Sequence, residues 1–144
     1  MRGYFGIVLD RPCKSANYGT VLRTCYNFGA QFIGLIGHRY QRQCSDTVAS
    51  YRHIPTYEFT SAEDFLTHRP YGSLLIGVEI DPTARDLAGF IHPERATYVF
   101  GPEDGGLSQT IKQRCQFLVQ IQTNYCLNLA VTTGIVMYDR MIKL

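Results

Sequence analysis

The stretch from Thr97 to Ser108 constrains this chain most. Four β-prone residues, Thr97-Tyr98-Val99-Phe100, run straight into Gly101-Pro102-Glu103-Asp104-Gly105-Gly106, and helical spacing resumes from Ser108 to Arg114. That order predicts a buried strand, a sharp turn and a helix capped by Ser108. In α/β proteins ligands sit at the carboxyl ends of strands, where such turns lie. The glycines at 101, 105 and 106 allow positive φ and close backbone approach to a ligand, with Glu103 at the mouth of the turn. Taken alone, the stretch fits a plain β-to-α connection equally well.

The rest of the chain repeats the strand-to-helix pattern. Tyr4 to Leu9 reads as a buried strand ended by Asp10-Arg11-Pro12, and Ser15 to Phe28 as a helix with Val21, Leu22, Cys25 and Phe28 on one face. Gly29 stops that helix. Phe32 to Ile36 is a second strand, followed by a polar, basic loop over 37–44 and a short helix over 45–50. Ile54 to Phe59 is extended, Ser61 opens a short helix with a capping-type start, and Leu74 to Ile80 is a strong strand. Residues 83–95 look irregular or weakly helical, Phe117 to Ile121 is a final strand, and a final helix runs from Cys126 to Ile142. Strands alternating with helices predict one α/β domain over residues 1–144, with a mostly parallel sheet and helices on both faces.

Composition narrows the function classes. With 144 residues, 45% hydrophobic and 18% charged, the chain can build its own core, and no apolar run is long enough to span a bilayer. No signal peptide is expected, because Met1 to Phe5 enters a strand pattern directly. The five cysteines at 13, 25, 44, 115 and 126 include no Cys-x-x-Cys pair, which argues against a disulfide framework or zinc ribbon and suits a reducing cytoplasm. The four histidines show no metal-ligand spacing, so no metal is expected. Charge is unevenly spread: residues 1–52 hold seven basic and two acidic residues, residues 53–144 seven basic and ten acidic. A basic first third hints at a polyanionic partner, and surface scatter is the plainer account. The basic residues stand singly, so any nucleic-acid site is assembled by folding.

Several chemistries fail on pattern. The turn after the first strand lacks Gly-x-Gly-x-x-Gly, which disfavours a dinucleotide site, and no P-loop is present. Cys126 near a helix start has no histidine base paired with it in sequence. Three polar clusters remain: Asn17-x-Gly19-x-x-x-Arg23, Gly101 to Ser108, and Cys126-Leu127-Asn128. Each follows a strand and opens a helix, so a parallel sheet would gather all three on one edge. Singly, each has an ordinary reading: capping for Asn17 and Asn128, a solvated position or ion pair for Arg23.

Together the clusters resemble the SPOUT methyltransferases, more narrowly the TrmH (SpoU) branch that methylates RNA ribose 2′-hydroxyls. The family's Asn-x-Gly, then Arg, then Phe-Gly is similar to Asn17-Tyr18-Gly19, Arg23 and Phe28-Gly29 here. Its strand ending Gly-x-Glu-x-x-Gly-Leu resembles Gly101-Pro102-Glu103-Asp104-Gly105-Gly106-Leu107, and its Ser-Leu-Asn resembles Cys126-Leu127-Asn128. Gln122 and Cys126 stand where the family has proline and serine, and a thiol is a weaker donor than a hydroxyl.

The resemblance implies a deep C-terminal trefoil knot, a homodimer with sites at the subunit interface, and S-adenosylmethionine as cofactor. Its binding residues would be Gly77, Val78, Glu79, Gly101, Ile121, Cys126 and Leu127. Arg23, Asn17, Glu103 and Asn128 would be catalytic, with Arg23 acting on the hydroxyl. RNA contacts would come from Arg11, Lys14, Arg39, Arg42 and Arg52. Stand-alone members of the branch include enzymes acting on the tRNA anticodon loop, which makes tRNA the first expected substrate and rRNA the second. A non-catalytic RNA-binding or cofactor-sensing relative is the alternative.

Overall fold

The computed structural model describes residues 3–38 and 43–144. Its strands are β1 (Tyr4–Asp10), β2 (Phe32–Ile36), β3 (Thr56–Phe59), β4 (Leu74–Val78), β5 (Arg85–Asp86), β6 (Arg95–Phe100) and β7 (Phe117–Gln120). They form one sheet in the order β3-β2-β1-β6-β4-β7-β5, and every pairing is parallel. Parallel strands need crossovers that leave helices on the faces, so both faces are covered and the strands read as near-continuous apolar runs.

Side-chain alternation sorts each strand between two cores. Phe5, Ile7 and Leu9 of β1 and Ala96, Tyr98 and Phe100 of β6 face the first core. There α1 (Ser15–Phe28) adds Tyr18, Val21, Leu22 and Cys25, and α4 (Leu129–Lys143) adds Leu129, Val136 and Met137. Val8, Val99 and Leu75 face the second core, with Phe65 of α2 (Ala62–His68) and Ile111 of α3 (Gln109–Lys112). The expected layers, helices on both sides of a parallel sheet, are therefore present.

Helix ends follow the sequence signals in part. Ser61 Oγ accepts from the Asp64 N–H at 3.1 Å and caps α2. Gly29, at φ 78°, closes α1 in the left-handed region, where a Cβ would be strained. Ser108 precedes α3, but its side chain caps nothing; its backbone N–H donates instead to Asp10 Oδ2 at 3.0 Å. The carboxylate of Asp10, only 1% exposed, thus ties the start of α3 to the end of β1.

Three expected elements differ. Residues 45–50 form turns rather than a helix, followed by one 3-10 turn at Ser50–Arg52. Asp46 explains this: its carboxylate accepts from the N–H groups of Ser50 and Tyr51, a local capping that competes with a helical ladder. Within 83–95, Arg85–Asp86 adds β5 to the edge at β7, and Leu87–Gly89 makes a 3-10 turn. The last helix starts at Leu129, because Asn128 Oδ1 accepts from the N–H groups of Ala130 and Val131 and ends the preceding loop. No helix among the described residues is long and apolar enough to cross a membrane.

Candidate functional site

The carboxyl ends of β4, β6 and β7 open into one cleft of about 270 Å³. It is walled by Val78, Glu79 and Ile80, by the turn from Phe100 to Leu107, and by residues between Gln120 and Thr132. The three loops come from adjacent strands of the sheet, which is why segments so far apart in sequence meet.

The β6–α3 turn uses its glycines for space rather than for positive φ: none of Gly101, Gly105 or Gly106 adopts it. A Cβ on Gly101 would lie 2.8 Å from the backbone N of Leu107, so glycine there lets the turn fold back on itself. A Cβ on Gly106 would overlap the Glu79 carboxylate, which occupies that space from β4. The positive φ sits instead at Arg11, 52°, across from the turn. Its guanidinium pairs with Asp10 at 3.3 Å and donates to the Gly106 carbonyl at 3.4 Å.

On the lip of the cleft three polar side chains form a directional chain. Asn128 Nδ2 donates to Asn17 Oδ1 at 3.1 Å, and Asn17 Nδ2 donates to Glu103 Oε1 at 2.8 Å. Both amide orientations are dictated by chemistry: Glu103 can only accept when ionised, and Asn128 Oδ1 is already taken by the α4 N-terminus. Glu103 also accepts from the Cys13 N–H at 2.8 Å and the Lys14 N–H at 3.3 Å, so it caps α1 from a distant loop. Partial burial opposes ionisation of Glu103, but the bonds from Asn17, Cys13 and Lys14 outweigh it, and its pKa lies below the ordinary carboxylate range. Asn17 is therefore no cap of its own helix.

A second polar set reaches the cleft through Glu79. Lys112 Nζ bridges Asp81 at 2.6 Å and Glu79 at 3.3 Å. Glu79 Oε2 is buried yet makes no hydrogen bond. The hydrogen bonds from Lys112 and Thr83 hold Asp81 well below the usual carboxylate range.

Of the expected cofactor residues, Val78, Glu79, Gly101, Ile121, Cys126 and Leu127 line the cleft. Gly77 does not; it lies in β4 beneath, where a Cβ would meet Leu118, Leu107 and Cys115. Asn17, Glu103 and Asn128 come together. Arg23 does not join them: six residues on from Asn17, it is about 9 Å further along α1 and on another face. It is exposed, and its guanidinium makes no hydrogen bond or ion pair among the described residues.

The cationic candidates scatter more. Arg11 and Lys14 are exposed beside Glu103. Arg52 is exposed in the 3-10 turn, with its guanidinium over the Tyr51 ring at 5.7 Å. Arg39 and Arg42 lie outside the described residues. Among the described residues no group of His, Cys, Asp and Glu is arranged to hold a metal ion. Sequence reasoning missed Ile80, Leu129 and Thr132 as cleft walls, and Lys112 as the partner of Glu79. Nothing in the local pattern marks them, because they face the cleft only once the loops converge.

This arrangement has close relatives of known fold. The SpoU rRNA Methylase family matches residues 4–138. An uncharacterized tRNA/rRNA methyltransferase of Archaeoglobus fulgidus is 29% identical over 94% of this chain and 63% of its own. An AdoMet-bound rRNA methyltransferase from Sinorhizobium meliloti superposes with a TM-score of 0.86 at 25% identity, over 100% of this chain and 58% of that one. The chain thus spans less than two thirds of either protein's length. A third structure, concerned with 2-OH methylation of C/U34 on tRNA, has a TM-score of 0.83 at 23% identity, covering 98% of this chain and 96% of that one. With a family match across nearly its whole length and the three polar clusters gathered at one sheet edge, this chain belongs to the SpoU rRNA methylase family.

Proposed function

We propose that this chain is an S-adenosylmethionine-dependent RNA ribose 2′-O-methyltransferase, acting on tRNA before rRNA. The observation that carries the reading is the Asn128–Asn17–Glu103 chain on the lip of the cleft. The preference for tRNA is supported by the likeness to the structure concerned with 2-OH methylation of C/U34 on tRNA, which extends over 98% of this chain. The five free cysteines fit a cytoplasmic site of action.

The cleft suits the cofactor. Val78, Ile80, Leu107, Ile121 and Leu129 offer apolar walls to a purine, and the Glu79 carboxylate, held by Lys112 at 3.3 Å, keeps acceptor capacity for ribose hydroxyls. Its apolar walls and few convergent polar groups match small-ligand sites in general. When bound, the cofactor supplies an electrophilic sulfonium methyl.

The chain's own residues position the RNA. Transfer would form the bond from the 2′-oxygen to the methyl carbon and break the methyl carbon–sulfur bond, leaving a neutral thioether, while the O–H proton leaves to phosphate or water. A guanidinium stays protonated, so Arg23 acts as a donor to the hydroxyl or its neighbouring phosphate. Arg23 does not reach the cleft of its own protomer, which supports a homodimer in which it serves the partner's site. The outward face of α4, with Val131, Ile135, Tyr138 and Met141 exposed, supports the same pairing.

The test is transfer from labelled S-adenosylmethionine to tRNA and rRNA fractions of a strain lacking this protein. Label in the tRNA as a ribose-methylated nucleotide is expected; cofactor binding without transfer to any RNA would overturn the enzyme reading. Arg23→Ala is expected to abolish transfer while cofactor affinity and folding stay near normal. Near-normal turnover in that variant removes Arg23 from the mechanism.

A further inference from the structure

The exposed loop over 122–127 borders the cleft. Thr123, Cys126 and Leu127 line the cleft, and Asn128, three residues past Tyr125, enters the polar chain on its lip. Thr123 Oγ1 donates to the Tyr125 carbonyl at 2.7 Å, which pins the backbone at that point. The ring of Tyr125 is 86% exposed and has no hydrogen bond or ring contact to any other described residue. An aromatic held out in this way contributes nothing to the core.

Enzymes acting on unpaired RNA splay bases out and stack them on aromatic side chains. A target ribose in the cleft leaves an adjacent base outside it, and that base needs a surface. We propose that Tyr125 is that surface: a stacking platform for an unpaired base next to the methylated nucleotide. The inference rests on the RNA reading above and adds a residue to it. The exposed cations of Arg11 and Lys14 border the same lip and would hold the backbone of the strand so placed. Exposure alone does not single Tyr125 out. Tyr71 is fully exposed too, but it precedes β4 and so lies at the opposite edge of the parallel sheet.

Affinity for fluorescently labelled tRNA, and separately rRNA, measured by anisotropy at fixed salt, tests the proposal without turnover. Tyr125→Ala is expected to weaken binding roughly 5- to 150-fold, the range for losing one base stack. Tyr125→Phe and Tyr125→Trp should bind like the unaltered protein, because the ring and not the hydroxyl does the stacking. Tyr71→Ala should also bind normally, and the salt dependence of Tyr125→Ala should keep its slope, since no phosphate contact is lost. Cofactor affinity and oligomer mass should be unchanged in every variant. Unchanged affinity in Tyr125→Ala, equal loss in Tyr125→Phe, an altered oligomer mass, or failure of the unaltered protein to bind either RNA overturns the platform. Absent methyl transfer with the stacking effect intact overturns the enzymatic reading and leaves the platform standing.

Discussion

The helix α4 carries a polar network at each end, and the two work to opposite effect. At its N-terminus, Asn128, Asn17 and Glu103 lie on the lip of the cleft, half-buried or exposed. At its C-terminus, Arg140, fully buried, donates to the carbonyls of Pro93 and Glu94 at 2.6 and 2.8 Å and to the Tyr98 hydroxyl at 3.2 Å. Tyr98 in turn meets His92 Nδ1 at 2.6 Å, and His92 Nε2 meets Asp139 at 2.8 Å. Lys143 completes the set by bonding Asp139 and the carbonyls of Leu87, Ala88 and Phe90.

The difference lies in what remains open to solvent. The lower network is the more enclosed: the fully buried Arg140 guanidinium rests over the Phe5 ring at 5.1 Å, its Nη1 and Nη2 groups end on the Pro93 and Glu94 carbonyls and the Tyr98 hydroxyl, and its Nε is buried without a partner. Its work is to clamp the segment before β6 onto α4. The upper network joins three loops as well, yet it stays at the mouth of a cleft, where a ligand can compete for it. A hydrogen bond is stronger in the low dielectric of a buried site, whereas a network at a cleft mouth stays open to exchange with a ligand.

The sharpest way to break this contrast is Arg140→Met. Three acceptors, one buried and two part-buried, lose a charged donor, and stability should fall by about 3 kcal/mol in denaturant titration. Methyl transfer per folded molecule should be unchanged at low temperature. If the loss is under 1 kcal/mol, roughly one ordinary hydrogen bond, the lower network is not a clamp.

Asn128→Ala should do the reverse. Removing the cap costs about 1 kcal/mol of stability. It also frees Asn17 to turn, and misplacement of this order lowers the proposed transfer roughly 10- to 100-fold. Stability loss without any change in kcat or KM would reduce Asn128 to a cap alone.

The smallest effect is pH-dependent and separates the two ends. Burial holds His92 below its ordinary value of 6.5, opposed by Asp139 and reinforced by Arg140 and Lys143. The unfolded chain therefore takes up the proton first, and the lower network's stability is fully present above pH 6.5 and declines as pH falls below it. Glu103 is also depressed, from 4.5, so its contribution persists to lower pH and fades only as pH falls below that value. Unfolding titrations of His92→Gln should lose the first decline and keep the second. A decline near pH 6.5 that survives in His92→Gln assigns it elsewhere.

The motifs of the upper network were legible in sequence because each sits where a strand ends and a helix begins, and the turn chemistry of Gly101 to Gly106 and Asn128 is local. The lower network was not. Arg140 and Lys143 look like ordinary last-turn cations of a helix, and His92 like an isolated histidine, because most of their partners lie 42 to 56 residues away. Arg23 shows the opposite limit: its motif spacing is plain, but a six-residue offset on one helix turns it away from Asn17.

From the sequence alone came the alternation of strands and helices, the two-sided burial of the sheet, and the edge at which the polar clusters would gather. These follow from side-chain periodicity and turn residues, which act within a few positions. Only the tertiary structure decided the strand order β3-β2-β1-β6-β4-β7-β5, and with it the meeting of β4, β6 and β7 at one cleft. It also decided that Glu103 would cap α1 across 89 residues and that Arg140 would be buried. Parallel strands of similar apolar character can pair in many orders, and the choice among them is made by packing both faces at once, which no local pattern records.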